Sequence, residues 1–441
     1  MRVQLYKYKN ILDSREFVKK TGKVSRVIGL TIEANGPAVD IGEICTIHTS
    51  DGKDQIDAEV VGFRENRVVL MPLGDMKGIG PDSAVVATGR VLSVGVGNTL
   101  VGRVLNGMGE PIDNKGCLNV ETFYPVSNNP PHPLERQRIK QPLSLGIKVI
   151  DGLLTVGKGQ RIGIFAGSGV GKSVLIGMIA RNTAADINVI ALIGERGREV
   201  REFIEKDLGE EGLKRSVVVV ATSDQPALSR IKGALLATAI AEYFRYMGKD
   251  VLFLMDSVTR FAMAQREVGL AIGEPPVSRG YTPSVFAMMP KLLERAGNSD
   301  VGSITGLYSV LVDGDDMTEP VTDTVRGVLD GHIVLSRDLA NKNQYPAVDV
   351  LASISRVMPD VVSKEHMKTA NEIKKVMAVY KEAEDLINIG AYVKGSSKKI
   401  DFAINVIDNV LAFIEQPIDE GFKFNETCDL LNHVLDMRND E

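Results

Sequence analysis

The segment AGSGVGKS at residues 166–173 follows the apolar run RIGIF and opens the helical pattern KSVLIGMIA. Strand, glycine-rich turn and helix in that order make a phosphate cradle. Gly167, Gly169 and Gly171, spaced by Ser168 and Val170, let backbone N–H groups turn inward around an anion. The start of the helix adds partial positive charge. Lys172 supplies a point charge for β- and γ-phosphates, and the Ser173 hydroxyl suits Mg2+. Ala166 stands where the strict GxxxxGK[ST] pattern has glycine, but it is small and precedes the tightest part of the turn. The chemistry is nucleotide binding.

Two acids stand at the ends of other apolar runs. VLFLMD ends in Asp256, which would sit at the C-terminal edge of a parallel sheet, where such folds bind ligands. There it either joins a metal shell through water or caps the helix that begins SVTRF. NVIALIG runs into Glu195 and Arg196 within GERGREVREF. Glu195 either polarises an attacking water, with Arg196 steadying a phosphate oxygen, or belongs to a solvated charged turn. Tyr345 before a proline and Arg356 after a serine-rich turn are unremarkable by composition.

These residues need elements to hold them. From residue 159 onward, apolar runs without clean alternation (RIGIF, NVIALIG, SVVVVA, VLFLMD) alternate with helical patterns, as strands buried on both faces of a parallel sheet do. The first 90 or so residues instead carry short β-branched runs cut by NGP, SDGKD and LGDMKGIGP, the spacing of a small barrel or sandwich. A Pro- and Gly-rich stretch, 124–142, connects the two. The last 95 or so residues are helical in period. The expected fold class is an α/β P-loop core between an N-terminal β domain and a C-terminal helical domain.

Composition narrows the function classes. The 441 residues carry a net charge of −5, which argues against a protein that coats nucleic acid. No apolar run approaches a membrane span, and MRVQLYKYKNILDSREF has no signal-peptide core. Three dispersed cysteines without a CxxC fit reduced cytosolic thiols.

The segments LSLGIKVIDGLLTVGKGQRIGIFAGSGVGKS, GERGREV, VLFLMDSVTRFA, GEPPVSRGYTPSVFAMMPKLLERAG, GSITGLYSVLVDGDDM and DGHIVLSRDLANKNQYPAVDVLASISRVM resemble the rotary-ATPase catalytic-subunit superfamily. Within it the chain is most similar to the ATPases of type III protein export, above all the flagellar branch. The resemblance implies an N-terminal β-barrel (21–90), a RecA-type ATPase domain (91–345) and a C-terminal α-helical domain (346–441), assembled as a homohexamer. It implies ATP and Mg2+ as ligands, with Lys172 on phosphate, Ser173 and Asp256 on the metal, and Glu195 as general base. Arg196 and Arg260 fall at phosphate- or interface-sensing positions. Arg356 falls at the arginine-finger position serving the next subunit, and Tyr345 lines the adenine pocket. The implied activity is ATP hydrolysis that energises or primes export of flagellar proteins at the inner face of the membrane. The implied partners are a regulator dimer, a central stalk protein, export chaperone–cargo complexes and the export gate.

Alternatives remain within and beyond the superfamily: a virulence injectisome ATPase, a rotary ATP synthase catalytic subunit, or a hexameric RNA helicase. The non-catalytic rotary subunit has Gln where this chain has Glu195. Residues 21–90 contain one Phe (Phe63) and no Trp or Tyr, a poor surface for stacking RNA bases. Residues 1–20 carry six basic and two acidic side chains, with Leu5, Tyr8, Ile11 and Leu12 at helical spacing. That segment is where the resemblance puts the regulator, and a basic amphipathic stretch also suits anionic lipid.

Overall fold

The computed structural model describes residues 19–50, 52–312, 314 and 316–436. The amphipathic segment expected at 1–20 lies outside the described residues except for Lys19 and Lys20. The chain divides into two compact units.

The first unit contains a closed barrel of the strands Thr21–Ile28, Thr31–Asn35, Glu43–His48, Gln55–Arg64, Arg67–Pro72 and Ala84–Val91. Alternation explains it: Ile32, Ala34, Cys45, Ile47, Ala58, Val60 and Leu70 point inward and are fully buried. Arg64 pairs with Arg67 across a two-residue turn in which Glu65 and Asn66 both have positive φ (48° and 61°), the turn that matches strand twist. Burial pushes the Cys45 thiol up to about 12, so it is an inert packing residue.

The second unit is built on a nine-stranded sheet. Its order runs Val348–Ser355, Gly331–Leu335, Arg161–Ala166, Ser303–Leu311, Asp250–Asp256, Ile187–Ile193, Ser216–Ala221 and Val104–Asn106, with the short Gly297–Asn298 pairing beside Ser303–Leu311. The central strands are parallel and buried along nearly their whole length, as their unbroken apolar runs require. Val348–Ser355 runs antiparallel to Gly331–Leu335. The sheet therefore continues past residue 345, where the sequence placed the start of the helical domain. Ser353 and Ser355 obscure that strand in the sequence, yet their hydroxyls bond to Val334 N–H (2.9 Å) and Gln160 (3.0 Å).

The helices Lys364–Asn388, Lys398–Ile414 and Phe424–His433 share one hydrophobic core with the sheet. Ala370, Ile373, Val410 and Phe413 pack in it beside Ile147, Ile150 and Leu153. Among the described residues no helix is long and apolar enough to cross a membrane.

The helix that carries Lys172 spans Lys172–Asn182 and lies against the segment Phe203–Leu208 at Gly177. A Cβ at Gly177 would come within 2.6 Å of the Asp207 carbonyl oxygen and 2.8 Å of its carbon. Alanine normally gains about 1 kcal/mol over glycine inside a helix. Here the backbone contact reverses the sign, because overpacking costs roughly 1–3 kcal/mol. Gly177→Ala is expected to lower the denaturation midpoint and weaken nucleotide binding together; a raised midpoint would show that the helix has room.

Candidate nucleotide site

Strand Arg161–Ala166 delivers the loop, and the loop delivers the helix. Ala166 is the last strand residue, in register with Leu311 and Leu335, and has no positive φ that would require glycine. The departure from the strict motif therefore costs the loop nothing. Gly169 (φ 79°) and Gly171 (φ 87°) take the left-handed conformations that turn the backbone. Gly171 is the N-cap of the helix, no side chain caps it, and the first turn has no acid. The orphan N–H groups and the helix dipole are thus left for an anion.

The acids converge on this loop. Asp256 ends its strand in register with Leu192 of the neighbouring strand, and Glu195 lies just beyond that strand's end. The Lys172 ammonium is ion-paired with Asp256 Oδ1, and the Ser309 hydroxyl donates to the same oxygen at 2.6 Å. Asp256 is 5% exposed. The cap of the following helix comes instead from Ser257, whose Oγ accepts the Arg260 N–H at 3.3 Å, so the capping alternative for Asp256 falls away.

Glu195 is the electrostatically stressed member. Burial, then the Asp256 charge, push its carboxyl up to about 7, against the opposing pull of Lys172 and Arg260. Its Oε1 is buried without a hydrogen-bond partner, and so is Arg260 Nε. Gly194 (φ 74°) makes the approach of Arg260 possible, since a Cβ there would lie 2.6 Å from Arg260 Cβ. A buried acceptor and a buried donor without protein partners beside a phosphate cradle mark a candidate functional site.

Tyr345 is brought to the loop: a Cβ on Gly171 would sit 3.3 Å from its ring. Arg196 is not brought in; its side chain is 78% exposed and lies 3.7 Å from Glu199. Arg356 is exposed at the opposite end of the sheet, its N–H donating to the Asp330 carbonyl at 3.0 Å while the Asp330 N–H donates to that of Arg161. Ser309, whose hydroxyl meets Asp256, is a site residue that no local sequence pattern marks.

The donor set suits Mg2+: an exposed Ser173 hydroxyl and the Asp256 carboxylate are hard oxygens. Among the described residues no group of three or more His, Cys, Asp or Glu forms a metal cage.

Three family models match the chain in order. They are the β-barrel domain of the ATP synthase alpha/beta family over residues 24–89, its nucleotide-binding domain over 146–355, and the C-terminal domain of the type III secretion ATPase EscN over 362–433. A flagellum-specific ATP synthase of Bacillus subtilis is 59% identical over 426 residues, covering 96% of this chain and 97% of that one. The chain belongs to the flagellar and type III secretion ATPase family. A type 3 secretion system ATPase of Xanthomonas euvesicatoria is 50% identical, with 95% of each chain covered. The assembled ATPase EscN of enteropathogenic E. coli matches with a TM-score of 0.89 at 47% identity, over 94% of this chain and 100% of that one. The same ATPase in complex with its central stalk EscO matches at 0.88. Members of this family are ATP hydrolases, and the chain is an enzyme of that kind.

The raised Glu195 carboxyl has a consequence for stability. Its folded value of about 7 lies above the ordinary glutamate value of 4.5, so its contribution is fully present below 4.5 and lost as pH rises through 7. Glu195→Gln removes that penalty. Its melting temperature is expected to gain on the wild type progressively between about pH 5 and pH 8; a constant difference across that range would show that Glu195 titrates as an exposed glutamate does.

Proposed function

We propose that this chain hydrolyses ATP at the subunit boundaries of a homohexameric ring and thereby energises or primes export of flagellar proteins through a type III apparatus. The observation that carries the subunit-boundary reading is the position of Arg356. The six-residue strand Arg161–Ala166 puts about 16 Å between its two ends, more than a side chain spans, and the phosphate loop lies farther still. An arginine finger at that place serves a neighbour's site and not its own. The flagellar assignment is favoured by 59% identity to a flagellar relative against 50% to a secretion-system one.

In the proposed reaction, N–H groups of Gly167–Gly171 and the helix start hold the phosphates, and Lys172 exchanges Asp256 for the β- and γ-phosphate oxygens. Ser173, and Asp256 through water, would hold Mg2+, which supplies charge neutralisation on those oxygens. Glu195 takes a proton from the attacking water. Arg356 of one subunit offsets charge on the γ-phosphoryl group bound by the next, and Arg196 swings in from solvent to a phosphate oxygen. Tyr345 stacks on the adenine. The barrel (21–90), the catalytic domain (91–345 together with the sheet's last strand) and the helical remainder divide the labour. Outside the ring, the basic segment 1–20 takes a regulator dimer and touches anionic lipid. A central stalk, chaperone–cargo complexes and the export gate meet the ring at the cytoplasmic face of the membrane, and no nucleic acid is involved.

Glu195→Gln is expected to keep Mg·ATP binding and lose nearly all turnover, whereas Lys172→Ala weakens binding itself. Turnover near the wild-type rate in Glu195→Gln would remove it as the base.

The boundary reading has its own test. Arg356→Ala and Lys172→Ala are each expected to be inactive, yet rings mixed from the two recover activity where an intact arginine faces an intact loop. Verified mixed rings that stay at the background of the two variants would make Arg356 a cis residue or a bystander.

A further inference from the structure

The Ser309 hydroxyl has no role in the mechanism above, yet it donates at 2.6 Å to Asp256 Oδ1 from a position only 1% exposed. Its strand, Ser303–Leu311, lies between the strand that delivers the phosphate loop and the strand that ends in Asp256. Ser309 is in register with Ile164, and its neighbour Tyr308 with Met255. The hydroxyl thus reaches Asp256 from a strand buried on both sides, which leaves it little freedom.

The geometry around the carboxylate is one-sided. Lys172 and Ser309 both meet Oδ1, and no described residue donates to Oδ2. The two donors to Oδ1 differ in permanence. When Lys172 turns to the phosphates of a bound nucleotide, Asp256 loses its ammonium partner and keeps Ser309. A carboxylate at the end of a strand, held by nothing, would rotate about its terminal torsion, which is broad and weakly restrained. A hydrogen bond to a charged oxygen is among the stronger ones a hydroxyl makes.

We infer that Ser309 is a positioning residue that pins Asp256 Oδ1 when Lys172 leaves it, so that Oδ2 faces the hydrated Mg2+ of the bound nucleotide. The inference rests on the nucleotide site proposed above and adds a role for a residue on a third strand. It makes Ser309 matter only to the metal-linked part of binding. The phosphate loop, which holds the nucleotide without metal, does not depend on it.

The test measures binding of a fluorescent ADP with Mg2+ and in EDTA, alongside the Mg2+ concentration giving half-maximal ATP hydrolysis. In Ser309→Ala, affinity in EDTA is expected to match the wild type, while the tightening produced by Mg2+ falls on the order of tenfold, the size of one hydrogen bond to a charged group. The half-maximal Mg2+ concentration rises by a similar factor. Ser309→Thr and Ser309→Val add the same bulk to a buried strand and differ only in the hydroxyl. Thr retaining the Mg2+ effect while Val loses it supports the assignment even if the alanine variant folds poorly. Equal loss in Thr and Val, or equal loss of binding with and without Mg2+, would overturn it as mere packing. An unchanged Mg2+ effect in Ser309→Ala overturns it outright. A wild-type protein that binds no ADP under either condition would instead defeat the nucleotide site itself.

Discussion

A parallel sheet has two unlike ends, and the chemistry of this chain depends on that polarity. Every central strand of the second unit runs the same way, so the residues that follow Ala166, Ile193 and Asp256 emerge at one edge. The phosphate loop, Glu195 and Asp256 are neighbours for that reason alone, although they are scattered through the sequence. The last strand reverses direction, and its end therefore emerges at the opposite edge, next to Asp330 and the start of Arg161–Ala166. One antiparallel pairing separates Arg356 from the loop of its own chain.

At the loop edge, charge is balanced in a way that favours a ligand. Lys172 and Asp256 satisfy each other, and Ser309 adds a third group to the same oxygen. Glu195 and Arg260 have buried atoms that no partner fills. Such atoms cost stability in the resting protein. The burial that raises the Glu195 carboxyl to about 7 brings it near the range where a base accepts a proton from water and returns it at neutral pH. The raised carboxyl and the unpaired Glu195 oxygen both come from that burial.

What was legible in the sequence was what is contiguous. Residues 166–173 carry strand, turn, point charge and helix start within eight positions, so the loop could be read without any fold. Asp256 and Glu195 were legible as acids at the ends of apolar runs, but each had a plausible second role. Beside the phosphate loop the metal-shell reading of Asp256 was already the better one, and the structure adds its ion pair to Lys172 and a helix cap supplied by Ser257 instead. Ser309 meets Asp256 across 53 residues of chain, a contact set by strand order that no local pattern records. Val348–Ser355 was read as the start of the helical region because an edge strand needs no unbroken apolar run. Half of its residues are exposed or only partly buried, and its serines interrupt the pattern. The position of Arg356 followed from resemblance before the structure, and from strand direction after it.

The helical C-terminal region is bound to the catalytic sheet by more than contact between two surfaces. Helix Lys148–Leu153 sits among the C-terminal helices, and Gly152 is glycine because a Cβ there would come within 2.7 Å of the Phe413 ring. The Lys148 N–H donates to Gln416 Oε1 at 2.8 Å, and Gln416 Nε2 donates to the Gly146 carbonyl at 2.9 Å. The His366 ring bonds to the Gly152 carbonyl at 2.7 Å. A few residues on, the same chain becomes the strand that ends in the phosphate loop. Tyr345 lies against that loop, and its carbonyl accepts the N–H of Gln416 at 3.0 Å. Gln416 therefore joins the helical region both to the segment that feeds the loop and to the aromatic ring that lies over it. Close-packed interiors do not deform continuously. The segment that feeds the loop, the Tyr345 backbone and the C-terminal helices are tied together by the same hydrogen bonds.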